Sequence, residues 1–394
     1  MNPGRSDGTA WFRGLLSRHA SSKRVSGFLV LVSKDGTTQA FAATAPGKAG
    51  QTITPTSLVR ITSWTKPIAA AATLALVERR RLELDAPIER FIPELAARRV
   101  LRRIDAPLNE TEPARHAITV RHLLTCTMGF GFPMTKGPHP VLKEAARLQL
   151  GVGPPKPATP HAPDEWIRRF ASLPLMAHPG EAWMYDTSFA VLGVLISRVT
   201  GTTLSAALRE HVLGPLGMED TDFHVPPGKL TRFIPCHQAD DNGEISTLFD
   251  DPQDSQWTRP PNFPDAAGGL VSTAEDYLEF AHMLLANGVH RGQRLLSSRS
   301  IEMMTTNYIS EGQRGQASAV FLEARGWGFG VSVALPPDDD WSRAGRYGWD
   351  GGFGTSWFND PNAGVAAILV TQRFPPTLEL FTDFWKGVTE TWCA

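Results

Sequence analysis

The sequence predicts an α+β fold in which one antiparallel sheet, built from both ends of the chain, is flanked by helices and interrupted by a long, mostly helical insertion. Three observations predict it. Strand-like apolar runs cluster near the N-terminus and in the C-terminal hundred residues. An all-apolar segment of helix length, Ile68 to Val77, follows the N-terminal strands. Between about residues 85 and 298 the pattern is mostly helical, with intervening loops. The expected organisation is one domain over residues 1–394, with an α/β part (about 1–84 and 299–394) and a mostly helical part (about 85–298).

Taken in order, a short amphipathic segment from Trp11 to Leu16 precedes Gly27 to Ser33, whose unbroken apolar run reads as a buried strand. Asp35-Gly36 is a hairpin turn signal, and Gln39 to Thr44 reads as the returning strand. Ile68 to Val77 is apolar on every side, as befits a helix at the centre of a domain. It ends in Glu78-Arg-Arg-Arg81, and cations are favourable at a helix C-terminus. Ile118 to Leu124 starts one helix of the insertion and Ser188 to Ser197 forms a second, buried one. Thr273 caps a third that runs to Leu285 with acids in its first turn. Gly151 to Pro163 is too dense in proline for a helix or central strand, and reads as an inert connection or a rim loop. Strand character returns at Gly328 to Leu335, Phe353 to Phe358 and Gly364 to Gln372, before a final amphipathic helix over Leu378 to Thr391.

Composition excludes several classes. With 39 basic against 40 acidic residues the net charge is −1, which argues against a general affinity for nucleic acid or anionic membranes. No apolar run approaches the ~18 residues of a membrane span, and the N-terminus carries no signal-peptide core. Cys126, Cys236 and Cys393 are odd in number and form no Cys-x-x-Cys pair, so neither a disulfide scaffold nor a structural zinc site is supported. A cytoplasmic protein with reduced thiols is expected. Two scarcities narrow the chemistry: the chain has nine lysines and only four tyrosines, Tyr185, Tyr277, Tyr308 and Tyr347.

The sharpest local feature is Ser63-Trp64-Thr65-Lys66 at the start of the all-apolar helix, and of the nine lysines only Lys66 has a serine three places before it. On a helix, positions i and i+3 share a face, so the Lys66 ammonium can reach the Ser63 hydroxyl. A desolvated lysine beside another ionisable group can have a lowered pKa, one route to an activated serine. Pro67 disfavours helical geometry at Lys66, so an irregular first turn is expected. A second feature, Trp183-Met-Tyr185-Asp-Thr-Ser188, places a tyrosine between the turn His178-Pro-Gly180 and a buried helix. The third, Tyr347-Gly-Trp-Asp-Gly-Gly-Phe-Gly-Thr355, has the glycine density that lets backbone approach a ligand or bind an oxyanion, or that simply makes a tight turn before Phe353.

In this order the three segments resemble the motifs of the serine β-lactamase and penicillin-recognising family, in particular its class C-like esterase branch. Ser63-x-x-Lys66 is similar to the nucleophile motif, Tyr185-Asp-Thr187 to the tyrosine motif, and Trp349-Asp-Gly-Gly352 to the esterase form of the Lys-Thr-Gly strand motif. Ile118 to Thr125, Pro215-Leu-Gly-Met218 and Gly268 to Thr273 match accompanying segments. The resemblance implies a β-lactamase-like (transpeptidase-like) fold and an acyl-enzyme on Ser63. It implies Lys66 and Tyr185 as the acid/base pair, and an oxyanion hole from the backbone N–H groups of Ser63 and Gly352. Trp349, Gly351, Thr187 and Trp64 are then expected at the substrate, with no metal or cofactor. Trp349 replaces the lysine that holds a substrate carboxylate in β-lactamases and Thr187 replaces an asparagine, which favours an uncharged small ester. Arg343 or Arg346 is the expected source of any compensating positive charge. Alternatives on the same fold are a β-lactamase, a small-amide hydrolase and an acyltransferase; an inactive penicillin-binding-like protein is the alternative of another class. A homodimer is compatible with the sequence. The Gly-x-Ser-x-Gly match at Gly4 to Gly8 has no strand before it and is read as chance.

Overall fold

In the computed structural model of the protein, residues 8–19, 23–44, 52–133, 137–151, 157–317, 325–337 and 343–393 are described. The Gly-x-Ser-x-Gly match and part of the proline-dense stretch (152–156) lie outside them. The sheet has seven strands. β1 (Gly27–Lys34) and β2 (Thr37–Thr44) come from the N-terminal end. The C-terminal end supplies β3 (Arg325–Trp327), β4 (Ser332–Ala334), β5 (Tyr347–Gly351), β6 (Thr355–Asp360) and β7 (Val365–Val370). They lie in the order β3-β4-β5-β6-β7-β1-β2, and every pairing is antiparallel. The β1–β2 hairpin turns at Asp35 and Gly36, both at positive φ, which is the backbone a tight two-residue turn requires.

Both faces of β1 are covered, which explains its continuous apolar run. Phe28, Val30 and Val32 pack with the terminal helices α1 (Gly8–His19) and α6 (Leu378–Trp392). Leu29 and Leu31 point to the opposite face and join the main core. That core contains α2 (Thr65–Glu78), α4 (Thr187–Thr200) and α5 (Ala274–Leu285), with a shorter helix, α3 (Val120–Leu124), among the insertion's elements. Every residue of α2 from Thr65 to Leu76 is buried.

Two expectations on the sheet are corrected. Gly328 to Leu335 is not one strand: β3 and β4 form a hairpin whose turn includes Gly330 at φ +77°. A Cβ there would sit 3.0 Å from the Lys66 carbonyl oxygen, so glycine lets the hairpin close against α2. Conversely, Tyr347 to Gly351 is not a turn but the strand β5. The insertion also holds short strands, Cys236–Ala239 and Ile245–Asp250 among them, within the stretch expected to be mostly helical. Among the described residues no single helix is long and apolar enough to cross a membrane. The three cysteines are buried and unpaired.

Candidate active site

The turn that carries Ser63 is built by β-pairing from outside the main sheet. Val59 and Arg60 pair with Ser272 and Val271, and the Ile61 N–H donates to the Leu270 carbonyl at 3.1 Å. The chain then passes through Thr62 at φ +45°, a left-handed conformation that costs a β-branched residue strain, into a 3₁₀ turn over Thr62–Trp64. The irregular first turn expected from Pro67 is therefore present, and α2 proper begins at Thr65. Pro67 is the third residue of α2, where a backbone N–H has no intrahelical partner to lose.

Ser63 is 8% exposed and Lys66 is fully buried. The Lys66 ammonium donates to Ser63 Oγ at 3.2 Å and to the Ala267 carbonyl at 2.5 Å, and stands 3.6 Å from an Asp186 carboxylate oxygen. It also lies 4.2 Å from the Tyr185 ring centroid. The Tyr185 hydroxyl faces both Lys66 and Ser63, and each of them favours its ionised form. Tyr185 is itself nearly buried, with the edge or face of Trp183, Trp327 and Trp349 against its ring. The Trp349 indole N–H donates to the Tyr185 oxygen at 2.7 Å. Three segments distant in the sequence, carrying Ser63 and Lys66, Tyr185, and Trp349, thus meet.

The charge state of Lys66 departs from the expectation of a lowered pKa. Burial does pull it down, but Tyr185 and Asp186 outweigh burial and hold the ammonium above the ordinary lysine range. Burial pushes the Tyr185 phenol up, and the neighbouring Lys66 charge only partly offsets this. Asp265 supports the lysine from behind: its carboxylate accepts the Ala267 N–H at 2.8 Å, and so fixes the carbonyl that Lys66 binds. Burial and the charge of Asp186 raise Asp265 to about 6.

Of the residues expected at the substrate, Trp64 is placed differently. It is fully buried, stacked on Tyr277 at 4.2 Å, and its indole donates to the Trp349 carbonyl at 2.8 Å. It braces β5 against the Ser63 turn from inside the core. Gly351 acts at the same junction: a Cβ there would meet Thr62 Oγ1 at 2.5 Å and the Ile61 carbonyl at 2.7 Å. Gly352, by contrast, has open space where a Cβ would go. Thr187 opens α4 and, with Asp186, lines a cavity walled by Phe130, Phe132, Leu142 and Phe170. Neither expected arginine supplies a charge here. Arg346 is buried in an ion pair with Asp360 at 2.9 Å and also donates to Thr389 of α6, while Arg343 donates to the Cys393 carbonyl. Tyr347 lies in β5 with its hydroxyl accepting from Asn359 at 3.1 Å, and Tyr277 lies under Trp64, so neither competes with Tyr185.

Asp186, Ala267, Asp265 and Trp327 did not emerge from the sequence, nor did the hydrogen bond from Trp349 to Tyr185. Asp186 stands inside the quoted Tyr185-Asp-Thr187 segment, but an aspartate before a helix reads as an N-cap. The carbonyl of Ala267 carries no sequence signal.

The fold, with a serine, a lysine and a tyrosine gathered beside its sheet, is that of the β-lactamase-fold serine hydrolases. The match to the family described as Beta-lactamase spans residues 12–386, and the chain belongs to that family. An uncharacterized protein of Mycobacterium tuberculosis is 37% identical over 331 residues, covering 81% of this chain and 78% of that one. Esterase EstB of Burkholderia gladioli is 30% identical over 349 residues, covering 83% and 80%. Among solved structures, "EstCE1, a hydrolase with promiscuous acyltransferase activity" superposes with a TM-score of 0.78 at 21% identity, covering 96% of this chain and 98% of that one, a likeness of fold.

Proposed function

We propose that the protein is a serine hydrolase of small, uncharged carboxylic esters that works through an acyl-enzyme on Ser63. The observation carrying this reading is the cluster in which the Lys66 ammonium donates to Ser63 Oγ at 3.2 Å and stands 4.2 Å from the Tyr185 ring centroid. Tyr185, ionised in the reactive form, takes the Ser63 proton as Oγ forms a bond to the ester carbonyl carbon. The Lys66 charge and the Trp349 N–H stabilise the phenolate meanwhile. The backbone N–H groups of Ser63 and Gly352 serve the oxyanion. As the tetrahedral adduct collapses, the C–O bond to the alcohol breaks and Tyr185 returns the proton to the leaving oxygen. Water repeats the sequence on the acyl-enzyme, its proton passing through Tyr185 to Ser63 Oγ.

The preference for an uncharged ester is supported by Trp349, which stands at the motif position of a carboxylate-binding lysine, and by Arg343 and Arg346, which are engaged elsewhere. Similarity to esterase EstB supports the ester bond as the target. Intact mass after fluorophosphonate treatment tests the nucleophile: one adduct on the wild type and none on Ser63→Ala is expected. Absence of any Ser63-dependent adduct would leave an inactive binding protein. Turnover of p-nitrophenyl esters above nitrocefin and small amides is expected, and the reverse order would overturn the substrate reading.

A further inference from the structure

Asp186 occupies the N-cap position of α4, where an aspartate side chain ordinarily accepts an N–H of the first helical turn. Here it makes no such cap hydrogen bond. Its carboxylate instead turns toward Lys66, 3.6 Å from the ammonium. The residue next to the tyrosine in sequence thus forgoes a local stabilising contact for one with the buried lysine.

We propose that Asp186 is a positioning residue that keeps Lys66 a fixed cation and thereby reserves the role of base for Tyr185. The inference rests on the acyl-enzyme reading above and assigns the division of labour within it. The groups facing the Lys66 ammonium decide the matter. From the nucleophile turn comes the Ser63 hydroxyl; from the loop before α5, the Ala267 carbonyl and, behind it, Asp265. From the segment before α4 come Tyr185 and Asp186, and from the segment after α3 the Cys126 thiol. Burial raises that thiol, so it contributes no negative charge near neutral pH. Burial and the charge of Asp186 raise Asp265 to about 6. Asp186 is thus the carboxylate in direct ion-pair range of the ammonium and the counter-charge for a lysine that burial alone would tend to neutralise. A neutral Lys66 would compete for the Ser63 proton and would withdraw the charge that favours the phenolate.

Capping and charge can be separated by substitution, because asparagine and serine are good N-caps without charge while glutamate keeps the charge. The experiment measures the rate of Ser63 labelling by a fluorophosphonate and kcat/KM for p-nitrophenyl butyrate between pH 6 and 10.5. It compares wild type, Asp186→Asn, Asp186→Ser and Asp186→Glu, with thermal unfolding alongside. Asn and Ser are expected to unfold at or above the wild-type temperature yet to lose at least tenfold in both rates at pH 8. Their profiles should turn down at a pH at least one unit below that of the wild type, as Lys66 loses its proton. Asp186→Glu should recover most of the rate and the wild-type profile. Wild-type rates and profile in both Asn and Ser variants overturn the proposal, as does a loss that is equal at every pH. Failure of the wild type itself to label on Ser63 sinks the acyl-enzyme reading instead, so the two failures are distinct.

Discussion

Replacing Trp349 by phenylalanine isolates one hydrogen bond at the point where charge develops. The indole N–H donates to the Tyr185 oxygen at 2.7 Å in a buried setting, between the edges of Trp327 (4.6 Å between centroids) and Tyr185 (5.6 Å). Phenylalanine keeps an aromatic ring there and removes the donor. Because the Trp64 indole binds the Trp349 backbone carbonyl, that brace survives the substitution. A hydrogen bond to a charged group contributes about 1.5–3 kcal/mol, so losing it at the phenolate should cost roughly 10- to 150-fold in kcat/KM. The same energy should move the rising limb of the pH–rate profile about 1–2 units toward alkali, because one pKa unit corresponds to about 1.4 kcal/mol. The direction follows from the proposed mechanism: Tyr185 as base must lose its proton, burial already raises it, and removing a donor to the phenolate raises it further. Vacated volume should lower stability by about 1–3 kcal/mol, leaving a folded enzyme to measure. The assay is p-nitrophenyl ester hydrolysis from pH 6 to 10.5 with KM and kcat resolved. Activity within twofold of wild type on an unshifted profile would refute the argument that Tyr185 works as an ionised base held by Trp349.

The adjacent glycines of the third motif should separate sharply. Gly351→Ala drives a methyl into Thr355 and the Thr62 side chain, so a loss of about 1–3 kcal/mol by thermal unfolding and at least a hundredfold drop in kcat are expected. Gly352→Ala meets open space and should unfold within about 0.5 kcal/mol of wild type, any effect appearing in substrate turnover alone. Asp350 points away from Trp349 on β5, accepts from Ser356 at 2.6 Å, and is raised by burial from 3.8 to about 6. A raised acid binds its proton more tightly in the folded state, so its ionisation destabilises the fold progressively from about pH 4 to 6 and by a constant amount above. Asp350→Asn should therefore gain up to about 3 kcal/mol at pH 8 and nothing at pH 3.5, as denaturant titrations at the two pH values will show.

The sheet strands with unbroken apolar runs, the central helix and the serine–lysine spacing were legible because each is a local pattern. β1 alternates between two covered faces, α2 is apolar all round, and a three-residue offset puts Lys66 beside Ser63 on any helical turn. β5 was not legible, since Tyr347-Gly-Trp-Asp-Gly351 becomes a strand through its partners. A Cβ at Gly348 would collide with the Trp357 carbonyl across the pair, so glycine there answers a neighbour nine positions further along the chain. The hairpin turn at Gly330 is likewise set by its contact with α2.

By itself the sequence determined which side chains are available for chemistry and in what order along the chain, and the scarcity of lysine and tyrosine made that choice nearly unique. It also determined the elements whose periodicity is their own. Tertiary structure decided what each group does in place. Lys66 carries its charge rather than shedding it, Trp64 props the sheet from within, Trp349 speaks to Tyr185, and Asp186 turns from its helix to the lysine. The reason is that a pKa and a hydrogen-bond partner are sums over everything nearby in space, whereas the spacing of residues along a chain reports only what lies within a turn or two of each one.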